Sequence, residues 1–145
     1  DFSRTGRLVN AASEAIFGAK IKDYQLSAKY KFAEAYNQQG IEAAKKLWES
    51  MRKDTTDIYY VDDDDILTTG AVLENGKKWQ ASKEILEYYL SFNDRVPYVW
   101  RLLGNDNLHL GDSSAARSCY EQALTINPEY EKGRLALERL EGTNH

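Results

Sequence analysis

The sequence predicts an all-α fold built as a superhelix of antiparallel helix pairs, and three observations carry that expectation. A turn glycine followed by a small residue and then a bulky one recurs as Gly40, Ala44 and Trp48, as Gly76, Ala81 and Ile85, and as Gly111, Ala116 and Tyr120. These glycines lie 36 and 35 residues apart, close to the period of stacked helix hairpins. Before each glycine runs a stripe at helical spacing: Tyr30, Ala33 and Tyr36, then Ile66, Gly70 and Leu73, then Trp100, Leu103 and Gly104. A single hairpin cannot bury its own apolar stripe, so a unit of this kind has to repeat.

The elements follow from caps and breakers. Ser3 is placed to cap a first helix running to about Phe17, with Leu8, Ala12, Ala15 and Ile16 on its buried side and Gly18 ending it. Asp23 is placed to cap a second helix to about Gln38, and a third is expected from Ile41 to Arg52. Thr55 to Val61 is the one stretch rich in β-type residues; it reads as an extended connection, with a short strand as the alternative. Further helices are expected over Asp64–Glu74, Lys77–Phe92, Pro97–His109, Ser113–Ile126 and Pro128–Leu140, with a longer turn around Ser91 to Val96. The last helix sets Arg134, Glu138 and Arg139 beside Leu135, Ala136 and Leu140, the half-polar composition of a cap that covers a repeat and still meets water. One domain over 1–145 is expected, divided into an N-terminal helix (1–20), two degenerate repeats (22–54 and 62–96), a well-formed repeat (97–129) and a capping helix (130–142).

Trp100, Leu103, Gly104, Gly111, Ala116, Tyr120, Ala123 and Pro128 together have the spacing of one tetratricopeptide helix pair. Gly104 removes the side chain where the second helix must come close, while Ala116, Tyr120 and Ala123 form a small-large-small stripe at i, i+4 and i+7. The stretch resembles tetratricopeptide repeats at these positions and departs at Asn107, where the family has an aromatic residue; the hole must be filled by a neighbour. The resemblance implies a right-handed α-solenoid of about three pairs and a non-catalytic scaffold that binds a peptide or protein partner in a concave groove.

Composition narrows the alternatives. The chain has 145 residues, 42% hydrophobic and 29% charged, enough for a core of its own. A net charge of −4 with interspersed signs offers no basic patch for nucleic acid. No apolar run reaches the eighteen or more residues of a membrane span, and the chain opens on Asp1 rather than Met, as a processed protein or an excised domain would. Cys119 stands alone, which excludes an internal disulfide or a cysteine-rich metal site and leaves the compartment, periplasmic, secreted or other, open.

Chemical signals are few. Asp62 to Asp65 lacks the alternating ligands, central glycine and twelfth-position glutamate of a calcium loop, Leu73 standing at that last position, and reads as an acidic helix N-terminus. Ser50-x-x-Lys53 has the form of a serine nucleophile motif but no Lys-Thr-Gly follows it. Cys119 sits beside a packing tyrosine, and His109 has no second histidine near it in sequence, so no metal or cofactor site is expected.

The functional surface is therefore expected on the first helices of the pairs. In the third unit it would comprise Tyr98, Arg101, Asn105 and His109; Tyr30, Glu34, Asn37, Glu74 and Asn75 would contribute from the earlier units. Arg101 and Asn105, four residues apart, resemble the pair that holds a peptide carboxylate in the chaperone-tail clamp of some such repeats. The equivalent positions are Tyr30 and Glu34 in the first unit and Leu67 and Ala71 in the second, so the array does not repeat the clamp. The order of elements from Gln39 onward is also similar to the C-terminal helical extension of certain bacterial secreted hydrolases, among them serine esterases and β-lactamase-like enzymes. That second resemblance implies an accessory domain acting beside a catalytic domain in cis that these residues do not contain.

Overall fold

The computed structural model describes residues 26–56 and 58–143; the expected helix from Ser3 to Phe17, the cap at Asp23 and His145 lie outside them. Among the described residues there are seven helices: α1 (Ala28–Gln39), α2 (Ile41–Lys53), α3 (Asp64–Asn75), α4 (Trp79–Leu90), α5 (Pro97–His109), α6 (Ser113–Ile126) and α7 (Glu131–Gly142). Two-residue strands β1 (Leu26–Ser27) and β2 (Tyr59–Tyr60) pair in parallel, with Leu26 opposite Tyr59 and Ser27 opposite Tyr60. The class is all-α, and consecutive helices pack as antiparallel pairs in the manner of a tetratricopeptide-like solenoid. The chain divides into two compact units, Asp1–Asp62 and Asp63–His145.

In the first unit, α1 and α2 meet through Phe32 and Trp48, whose rings pack edge to face with centroids 5.6 Å apart. Ala28 and Ala44 are buried beside them. The turn is Gly40 alone, at φ 85°, a left-handed conformation that glycine adopts without a Cβ penalty. The expected stripe of Tyr30, Ala33 and Tyr36 is corrected here: Tyr30 is 72% exposed, and Ala28 and Phe32 take the buried face because Phe32 is the residue aligned with Trp48. The second helix also begins later than Asp23 implied, because Leu26 and Ser27 spend their backbone groups on the ladder to Tyr59 and Tyr60. The short strand, rather than a plain connection, is thus the form taken within Thr55–Val61.

The second unit repeats with a register of 34 residues. Gly70 and Gly104 are 34 apart, as are Ser82 and Ala116, and Leu86 and Tyr120. A Cβ added at Gly70 would collide with the Leu86 side chain, and one added at Gly104 with the Tyr120 ring, so each glycine is the place where two helices touch. This register corrects the expected alignment of the turns. Lys77, at φ 60°, rather than Gly76, corresponds to Gly111, at φ 91°. In both turns the residue at positive φ donates its N–H to a carbonyl three residues back, and the next N–H reaches five back: Lys77 to Glu74 and Lys78 to Leu73, Gly111 to Leu108 and Asp112 to Asn107. These are the two bonds of a Schellman helix ending. Ser82, rather than Ala81, is consequently the buried small residue of α4. The start of α4 at Trp79 instead of Lys77 has the same cause.

Pro97 opens α5 and Asp112 caps α6, its Oδ1 accepting from the Ala115 N–H at 2.9 Å. On α5 the buried face is Val99, Leu102 and Leu103; Trp100 is only half-buried, correcting its expected central place, because its Nε1–H donates to the Asp94 carbonyl at 2.7 Å in the turn before the helix. The last helix starts at Glu131, not Pro128, since Tyr130 N–H donates to the Asn127 carbonyl and Glu129 N–H to Asn127 Oδ1, closing a turn over those residues. Leu140 joins Ala116 and Tyr120 in one core cluster with Ala136 and Leu137 against it, so α7 does cover the last repeat.

Candidate functional site

The candidate surface of the second unit is built on α5. Tyr98, Arg101, Asn105 and His109 fall on one stripe because they are three or four residues apart along the helix. Each is held by a neighbour. The Arg101 guanidinium lies 5.4 Å from the centroid of the Tyr98 ring, and its Nε–H donates to the Tyr130 hydroxyl at 2.9 Å. Asn105 donates through Nδ2 to Glu74 Oε1 of α3 at 2.9 Å and accepts from the Tyr120 hydroxyl of α6 at 2.9 Å. His109 Nδ1 lies 2.8 Å from the Asn105 carbonyl, which places a proton on that nitrogen, and its ring stacks on Trp79 at 3.9 Å.

Five of the expected residues, Tyr98, Arg101, Asn105, His109 and Glu74, are therefore gathered in one row across α3 and α5, with Asn105 bonded to Glu74 and to His109, and Arg101 stacked over Tyr98. Asn75 is exposed at the last position of α3, outside that row. Tyr30, Glu34 and Asn37 lie in the first unit, on the exposed side of α1, where Glu34 pairs with Lys31 at 3.5 Å and Lys29 Nζ stands 5.4 Å from the Tyr30 ring centroid. Trp79, Tyr120 and Tyr130 are partners the sequence reading missed. Tyr130 had a local signal: Gly133 follows three residues later, and a Cβ there would come within 2.8 Å of the Tyr130 ring. Trp79 had none, since its partner is thirty residues away in sequence.

Behind the row lies a buried polar layer. Asp106 and Asn107 are both buried, each with one side-chain oxygen, Oδ1, that no group among the described residues satisfies. Asn107, in place of the family's aromatic, fills part of the expected hole and donates to the Leu103 carbonyl at 3.0 Å, with Cys119 Sγ 3.7 Å away as a weaker acceptor. Ser82 Oγ stands 2.7 Å from Asp106 Oδ2 and 3.1 Å from the Gly70 carbonyl. Burial, opposed by the Ser82 contact, pushes the Asp106 carboxyl up to about 7. Burial likewise pushes the Cys119 thiol up to about 11 and the Tyr120 phenol to about 12, so neither is ionised near neutral pH.

The other chemical signals resolve into local structure. Asp64 and Asp65 occupy the first turn of α3, where the helix dipole favours them, and Asp64 Oδ1 accepts from the Tyr89 hydroxyl at 2.9 Å. Ser50 is exposed on α2. Among the described residues no three His, Cys, Asp or Glu side chains converge as a metal site, and no helix is long and apolar enough to cross a membrane.

Residues 97–130, which cover α5, α6 and the turn after them, match the tetratricopeptide repeat family. No curated protein matches the chain. The helical domain is thus tetratricopeptide-like, with one repeat recognisable from sequence, and such repeats are protein-interaction modules that generally do no chemistry of their own.

Proposed function

We propose that the row on α3 and α5 of the second unit is a docking groove for an extended segment of a protein partner, and that the chain acts there as a non-catalytic scaffold. The observation that supports this reading is the order already present in the row: Arg101, Asn105, His109 and Glu74 are each tied to another side chain or carbonyl. Side chains immobilised before binding lose less entropy on association. Asn105 already holds the Glu74 carboxylate, so a ligand carboxylate at that point would face a competing negative charge. The reading therefore favours an internal peptide segment, contacting Tyr98 and Arg101 by its side chains and Asn105 by its backbone, over a chain end.

The test is selection of peptides on the immobilised chain from a random library, followed by affinity measurement with Arg101→Glu and Tyr98→Ala. Loss of ten-fold or more in affinity with Arg101→Glu is expected. Peptides that bind both variants as tightly as the parent would show that the groove is not the site.

A further inference from the structure

Ser82 poses a counting problem at the centre of the second unit. Its hydroxyl carries one hydrogen, yet its oxygen lies within hydrogen-bond distance of two acceptors, the Gly70 carbonyl at 3.1 Å and Asp106 Oδ2 at 2.7 Å. With an ionised Asp106, one of those close oxygen pairs has no hydrogen between them. Asp106 Oδ1 is also buried without a partner among the described residues, which for a carboxylate leaves a share of a full charge unsolvated. One added proton resolves both difficulties. A carboxyl protonated on Oδ2 donates to Ser82 Oγ, Ser82 donates onward to the Gly70 carbonyl, and Oδ1 becomes the carbonyl oxygen of a neutral acid, a much smaller cost to bury.

We propose that Asp106 is a neutral carboxylic acid in the native fold, and that its proton completes a donor chain from α5 through Ser82 of α4 to the Gly70 carbonyl of α3, a joint between the two hairpins that weakens when the acid ionises. The surroundings agree. Glu74 of α3 and the buried Cys119 and Tyr120 of α6 face this region without supplying a cation, and the charged form is favoured by the Ser82 contact and, more weakly, by His109 of α5 and Lys83 of α4, each less than burial opposes it. The joint links the same two helices as the Asn105–Glu74 bond, so the charge state of Asp106 acts on the proposed groove from behind.

The sign of the pH dependence follows. An Asp carboxyl in the unfolded chain releases its proton near 3.8, whereas Asp106 in the fold keeps its proton to about 7. Between those values the native state binds the extra proton, so the contribution of this group is full below about 3.8, declines as pH rises towards about 7 and is gone above it.

Two measurements on the whole chain test the proposal. Carbon-13 NMR of the Asp106 carboxyl is expected to titrate with a midpoint near 7; a midpoint in the ordinary carboxylate range would overturn it. Asp106→Asn places an N–H where the acid has its O–H and has nothing to ionise. Its melting temperature is expected to vary less between pH 5 and pH 8 than that of the parent, and to exceed the parent's at pH 8. An unchanged pH slope, with every histidine still present, would equally sink the idea. Should Asp106→Asn fail to fold, the titration of the parent chain decides alone.

Discussion

The α3–α4 and α5–α6 hairpins share a 34-residue register and the same turn geometry, and residues 97–130, the second of them, match the tetratricopeptide family. At the helix contact, Gly70 meets a flexible leucine and Gly104 a rigid tyrosine whose hydroxyl is tied to Asn105. At the turn, Lys77 occupies the left-handed position that Gly111 fills in the other hairpin. At the start of the second helix, Lys78 makes no side-chain cap where Asp112 does. Each difference replaces the residue the geometry favours with one it merely tolerates, and the backbone hydrogen bonds survive all of them. A repeat can thus lose its sequence signature faster than its fold. The α1–α2 hairpin goes further, giving up the glycine contact for an edge-to-face pair of Phe32 and Trp48.

The largest expected effect separates the two glycine contacts. Gly104→Ala should lower stability by about 1–3 kcal/mol, because the added methyl drives into a ring that cannot turn aside without breaking its bond to Asn105. Gly70→Ala should cost less, since Leu86 can change rotamer and the helix gains about 1 kcal/mol from the alanine. Equal losses in urea denaturation would erase the distinction between the hairpins.

Exchanging the turn residues comes next. Lys77→Gly should raise stability by about 1 kcal/mol by relieving a side chain at positive φ, and Gly111→Ala should lower it by about 1–2 kcal/mol. Thermal melts in which Lys77→Gly gains nothing would mean that the strain at Lys77 is already offset locally. The smallest pair concerns the caps: Asp112→Ala should cost about 1 kcal/mol and Lys78→Asp should return roughly half of that to α4. Matching responses in the two melts would show that side-chain capping does not distinguish these helices.

Much of this fold was legible from local signals. Pro97 and Asp112 set the starts of α5 and α6 at the expected residues, because a proline at the first turn and a carboxylate cap act on their own backbone. The second turn misled for the same reason. Gly76 looked like the turn glycine equivalent to Gly111, but the adjacent lysine took the left-handed conformation, and a lysine at positive φ leaves no mark in sequence. Along the groove, the spacing of Tyr98, Arg101, Asn105 and His109 followed from one helix period, while their partners Glu74, Trp79, Tyr120 and Tyr130 came from other helices and loops.

The sequence by itself determined which of the described segments are helices, how the best repeat is punctuated and which stripe of α5 turns outward, since these depend on dihedral preferences and periodicity within a few residues. Only the tertiary structure decided that Ser82 and not Ala81 is buried, that Trp100 leans on Asp94, and that Asp106 lies sealed against Ser82 with one oxygen unpaired among the described residues. Those outcomes depend on how neighbouring helices are rotated against each other. A shift of one residue turns a helical side chain by about 100°, enough to carry it from the surface to the core.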